Sequence, residues 1–181
     1  MNKQTVVKYH WFWAWDDEKE EAWLRQMASQ GLHLLSPQPF GRYVFTRGPA
    51  RDMVYRLDFV TGSQSLANYY QLFKDAGWEH AGQMGGWQYW RTEAANGRTP
   101  EILTDNQSKI AKYSRVAGLL ALISLVFFPG LFNMFLFNRR LGESSLLFFE
   151  YLPIVQISLL VFFICCIIRL LLRINALKKR P

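Results

Sequence analysis

Along the first hundred residues, stretches in which apolar and polar side chains alternate with a period of two are separated by segments in which apolar residues recur at helical spacing. Lys8 to Trp15 places Tyr9, Trp11, Trp13 and Trp15 on one side of an expected strand, with Phe12 on the other. A helix is expected from Asp16 to Gln30. Asp16 is a suitable N-cap, Asp17, Glu18, Glu20 and Glu21 complement the positive end of the helix dipole, and Gly31 ends it. Its apolar stripe is Trp23, Leu24, Met27 and Ala28. Leu32 to Leu35 reads as a strand stopped before Pro37 and Pro39, and Gly41 to Thr46 as another.

The same order returns: a strand from Asp52 to Phe59, a helix from Leu66 to Ala76 ended by Gly77, and strands at Trp78 to Met84 and Trp87 to Arg91 joined by a Gly85-Gly86 turn. Trp13-Ala14-Trp15-Asp16 aligns with Tyr55-Arg56-Leu57-Asp58 at an offset of 42, and Gly41-x-Tyr43-x-Phe45-x-Arg47 with Gly85-x-Trp87-x-Tyr89-x-Arg91 at an offset of 44. One such unit cannot cover its own apolar sheet face, whereas two side by side can. The expected class is therefore α+β: a duplicated strand-helix-strand-strand unit forming one antiparallel-rich sheet, with two helices on one face.

Beyond residue 115 the pattern changes. Val116 to Phe137 contains 22 residues without a charge, and Leu152 to Leu172 contains 21 with Arg169 alone. A bilayer core needs about 20 such residues as a helix, so two transmembrane helices are expected. Ser124, Asn133, Gln156 and Ser158 would supply hydrogen bonds between them. The expected organisation is a cytoplasmic Trp-rich domain over 1–95, a polar and basic linker over 96–115, spans at 116–137 and 152–172 around a short extracytoplasmic loop at 138–151, and a basic tail at 173–181.

Charge sharpens this picture. Residues 1–115 carry 14 Lys and Arg against 12 Asp and Glu, and residues 116–181 carry seven against two, so most of the basic excess flanks the apolar runs. The positive-inside rule then places both termini in the cytoplasm, with the bilayer as a partner, and no nucleic-acid partner is expected. Cys165 and Cys166 are adjacent within the second run and make no disulfide framework. His10, His33 and His80 lie on separate expected strands, so no metal site, cofactor or catalytic constellation is nominated, and no enzymatic activity is expected.

All seven Trp fall within residues 1–115, giving more aromatic surface than two helices need to cover. Such surface marks a ligand cleft or a protein contact. The candidate binding face comprises Trp11, Trp13 and Trp15 of the first strand with Trp87 and Tyr89 of the last. The function that fits is a membrane-anchored, non-enzymatic sensor or interaction module taking an amphipathic or cationic small molecule, or a membrane or regulatory protein. The alternative is a structural or accessory subunit of a larger membrane complex, such as a transporter, with the helices as the contact.

Trp11-Phe12-Trp13-Ala14-Trp15-Asp16 with Glu20-Glu21-x-Trp23-Leu24, Tyr55-Arg56-Leu57-Asp58 and Gly86-Trp87-Gln88-Tyr89-Trp90-Arg91 resemble the uncharacterised bacterial family DUF2812 over roughly the first 110 residues. The resemblance implies transmembrane helices after the domain and a setting in transcriptional or stress regulation, and brings no established activity. The doubled order is also similar to that of drug-sensing GyrI-like domains. That likeness implies a cleft lined by Trp13, Tyr55, Trp87 and Tyr89, with Asp58 or Glu79 as counter-charge for a cation over the rings.

Overall fold

The computed structural model describes residues 5–60, 66–94, 106–138 and 148–179. The chain divides into two compact units, 1–112 and 113–181. The first contains β1 (Thr5–Tyr9), α1 (Asp17–Ser29), β2 (Leu32–Gln38) and β3 (Arg42–Arg47), then β4 (Met53–Phe59), α2 (Leu66–Asp75), β5 (Glu79–Met84) and β6 (Trp87–Glu93). Each half forms a three-stranded antiparallel sheet, ordered β1-β3-β2 and β4-β6-β5. Matching strand order and a bulge at the corresponding place in each half, between Leu34 and Ser36 and between His80 and Gly82, display the duplication directly.

The single continuous sheet expected from the sequence is therefore two sheets. Edge strands β2 and β5 approach each other without forming a ladder. Both are bulged, Pro37 has no N–H to donate, and a Cβ at Gly82 would lie 2.7 Å from the Pro37 Cδ. Pro37 thus sits inside β2, opposite Tyr43, rather than stopping it, because an edge strand tolerates proline. Side chains of the second sheet bond to the bulge instead: the Leu34 N–H donates to the Tyr55 hydroxyl (3.3 Å), and Arg91 Nη1 donates to the Leu34 carbonyl (3.2 Å).

The two helices also do not share a face. Leu24, Met27 and Ala28 of α1 join Leu34, Tyr43 and Phe45 and the odd-numbered face of β4, Tyr55 and Leu57, in the main core. Phe73 of α2 packs with Val54, Trp78 and Trp90 on the opposite side of that sheet. Both faces of β4-β6-β5 are thus covered, which explains why buried residues, Val54, Asp58, Gln88 and Trp90 among them, occupy even as well as odd positions of β4 and β6.

The first strand is shorter than its aromatic alternation predicts. Pairing ends at Tyr9 opposite Arg42, and the His10 N–H then donates to the Gly41 carbonyl at 2.8 Å. Gly41 has φ 68, and a Cβ there would meet the His10 carbonyl oxygen at 2.4 Å, so the partner chain turns away and the ladder stops. Trp11, Trp13 and Trp15 consequently lie on a connecting segment. They order themselves ring on ring: Trp13 stacks on Trp15 (5.4 Å, 5° between planes), and Trp11 meets Trp13 edge-on at 5.8 Å.

α3 (Asn106–Asn138) begins ten residues earlier than the expected span, within the stretch read as linker. The remaining linker positions up to 105 and the loop at 139–147 lie outside the described residues. In the second unit, α4 (Phe148–Lys178) buries Cys166, Leu170, Ile174 and Leu177 along one side, and Arg173 Nε donates to the Tyr113 hydroxyl at 2.9 Å. Among the described residues one helix, Ile154–Lys178, is long and apolar enough to cross a membrane. The other expected span, Val116–Phe137, is helical in its backbone, and its side chains beyond Leu125 lie outside the described residues. Ser124 and Ser158 do not bridge helices: each hydroxyl donates to the carbonyl four residues earlier in its own helix, at 2.7 Å.

Candidate ligand-binding site

The first turns of α1 are acidic, as a helix N-terminus favours, yet Asp17 and Glu20 among these acids face inward. The apolar stripe of Leu24, Met27 and Ala28 continues back by helical spacing onto Glu20 and Asp17, so these carboxylates are carried into the interior, with 7% and 2% of their surface exposed. Each acid receives a different partner. The Lys112 ammonium of α3 donates to Asp17 and, at 3.2 Å, to the Leu57 carbonyl. Glu21 accepts the Leu57 N–H at 2.8 Å and Arg56 Nη1 at 3.1 Å. Glu20 accepts two phenol hydroxyls, from Tyr43 at 2.8 Å and Tyr89 at 2.7 Å, and among the described residues no cation pairs with it.

Burial dominates the electrostatics. It pushes Glu21 from 4.5 up to about 7, against the pull of Arg56 and the Leu57 N–H. It raises Glu20 as well, against its two tyrosine hydrogen bonds and with help from the negative charge of Asp17. The same burial and the adjoining Glu20 charge raise Tyr43 and Tyr89, so both phenols stay protonated donors.

Above this carboxylate lies a cavity of about 280 Å³, near the small end of the ~300–1,000 Å³ typical of ligand sites. The connecting segment contributes Trp11, Phe12 and Trp13, the β2–β3 turn contributes Pro39 and Phe40, and the second sheet contributes Met84, Trp87 and Tyr89. Asp17, Glu20 and Tyr43 supply the polar groups. Part of the wall is already apolar surface in water: Trp11 is 59% exposed and Trp13 41%. The cavity is thus an aromatic recess with one carboxylate that pairs with no cation among the described residues, an arrangement suited to receiving one.

A model of the family described as a protein of unknown function, DUF2812, matches residues 16–125. The chain belongs to the DUF2812 family. No curated protein and no solved structure matches it. The DUF2812 match includes Asp17, Glu20, Tyr43, Trp87, Tyr89 and Lys112, and begins after Trp11, Trp13 and Trp15. It also runs on into α3, past the roughly 110 residues over which the motifs resemble the family.

Of the positions singled out in the sequence, Trp11, Trp13, Trp87 and Tyr89 surround the cavity of this DUF2812 chain. Trp15 stands one ring behind, against Trp13. The other three lie elsewhere. Tyr55 is 1% exposed and holds the junction between the sheets. Asp58 accepts the Phe59 N–H (2.8 Å) and the Tyr69 hydroxyl (3.2 Å), on the α2 side. Glu79 forms a two-pronged pair with Arg91 (2.7 and 3.0 Å), which orients that guanidinium toward Leu34. Neither Asp58 nor Glu79 lines the cavity, whereas Glu20, read in the sequence as a partner of the helix dipole, does so beside Asp17. The signal that finds it is positional, since Glu20 precedes Leu24 by four and Met27 by seven and so shares their buried face.

Proposed function

We propose that this chain is a membrane-anchored, non-enzymatic binding module whose cavity takes a small amphipathic cation, in keeping with a sensor that reports such compounds at the inner face of a bacterial membrane. The carrying observation is Glu20: a buried carboxylate held by two neutral hydroxyls, without a cation among the described residues, beneath aromatic walls. An ammonium group entering the recess gains the charge of Glu20 and the faces of the rings together, and both interactions strengthen as water leaves. The helix at Ile154–Lys178 supports anchoring, and the charge-free run at Val116–Phe137 with basic flanks supports a second span with both termini cytoplasmic.

The test is calorimetric titration of the full chain in nonionic micelles with benzyltrimethylammonium and with neopentylbenzene, its uncharged isostere. The wild type is expected to prefer the cation, and Glu20→Gln to lose about tenfold or more of cation affinity with no change for the isostere. Equal binding of the two probes by the wild type, or an unchanged cation affinity in Glu20→Gln, would overturn the reading.

A further inference from the structure

The turn between β2 and β3 consists of Pro39, Phe40 and Gly41, since Gln38 and Arg42 are the last paired residues on either side. Phe40 has φ 60, and among the described residues it is the one non-glycine position with positive φ. An aromatic residue gains nothing locally from the left-handed region, where asparagine or glycine sits at lower energy. Packing does not compensate, because the Phe40 ring is 87% exposed, more than any other large apolar side chain described. Fold stability thus explains neither the backbone conformation nor the solvated ring. The backbone is held firmly all the same: Pro39 restricts the preceding φ, Gly41 admits no Cβ, and the bond from His10 N–H to the Gly41 carbonyl ties the turn to the Trp-bearing segment. Phe40 is also one of the residues that line the cavity, together with Trp11, Trp13 and Trp87.

We propose that Phe40 is a specificity-determining residue, a preset cover that packs on the broad apolar group of the bound cation and selects for ligands that carry one. The proposal rests on the cation-binding reading and adds the part of the ligand that Glu20 does not recognise. An apolar ring already standing in water loses that exposure when a ligand covers it, and a rigid turn forfeits little freedom on binding. Local strain retained at a ligand clamp has this form: it disfavours the empty fold slightly and favours the complex.

The experiment uses the full chain in nonionic micelles, with Phe40→Gly, Phe40→Asn and Phe40→Tyr. Thermal midpoints are read by tryptophan fluorescence, and affinities for benzyltrimethylammonium and tetramethylammonium by calorimetry. Phe40→Gly and Phe40→Asn are expected to raise the midpoint by about 3–8 °C, because both residues suit the left-handed region. The same two variants should bind benzyltrimethylammonium about fivefold or more weakly and tetramethylammonium within about twofold of wild type, while Phe40→Tyr keeps both affinities. Equal losses for the two cations, an unchanged benzyltrimethylammonium affinity, or a lowered midpoint would overturn the proposal and leave the cation reading standing. A wild type that binds neither cation would overturn both.

Discussion

Lys112 and Asp17 stand 95 residues apart in the chain, and the ammonium of one donates to the carboxylate of the other with 6% and 2% of their side chains exposed. A charge pair this deep is held by geometry, because either partner left alone faces full desolvation. Its position matters as much as its energy: Asp17 lines the cavity, and Lys112 lies in the early turns of α3.

Lys112→Met is therefore expected to destabilise the first unit by about 3–5 kcal/mol, and adding Asp17→Leu to recover most of that loss, since a matched apolar pair replaces a buried ion pair at little cost. All seven Trp lie in this unit, so tryptophan fluorescence follows its unfolding in the full chain. A double variant no more stable than Lys112→Met would refute the pairing argument.

Acidity acts in the direction set by the raised carboxyls. Glu21 holds its proton to about 7 in the fold and to 4.5 in an unfolded chain, so between these values the folded state binds more protons. Stability must then fall as pH rises through that window, by on the order of 1–3 kcal/mol, and Glu20 adds in the same sense. In Glu21→Gln the slope of the unfolding midpoint against pH should flatten, and an unaltered slope would assign it to other groups.

Cation binding should follow pH in the opposite direction. It needs Glu20 ionised, so affinity for benzyltrimethylammonium is expected to rise with pH through the elevated range of this carboxyl. Tyr43→Phe and Tyr89→Phe each remove a donor to the charged form and should move the midpoint of that dependence upward. A midpoint that stays put or falls in both would show that the phenols do not hold the charge.

The junction between sheets depends on small clearances. Gly82→Ala places a methyl against the Pro37 ring, at a φ of 152 that side chains rarely adopt, and is expected to cost about 1–3 kcal/mol. Denaturant unfolding of wild type and variant gives the difference directly, and equal midpoints would mean that the two edges separate freely.

Much of the fold is legible in the sequence because period and punctuation agree. The repeat fragments at Gly41 and Gly85 mark the same strand in each half, and the stripe from Trp23 to Ala28 marks α1. What period cannot tell is where a ladder stops. Trp11, Trp13 and Trp15 alternate like a strand, and only the Gly41 conformation, set by the partner strand, ends the pairing at Tyr9. The break between β2 and β5 likewise depends on bulges and a proline meeting across an edge. Asp17 and Glu20 mislead for another reason: the acids that suit a helix N-terminus look the same whether they face water or the core, and only their spacing from Leu24 separates the two cases. Phe40 carries no sequence signal, since its exposure and φ belong to the closed turn.

The duplication is imperfect at the helices, which differ in the face they cover and in the charge of their first turns. α1 opens with Asp17, Glu18 and Glu20, whereas α2 has no acid in its first turn. Tyr43 of the first copy and Tyr89 of the second converge on one carboxylate, Glu20 of α1, while α2 packs on the opposite side of its sheet. One carboxylate that meets both phenols sets the expected stoichiometry of the proposed binding at one cation per chain.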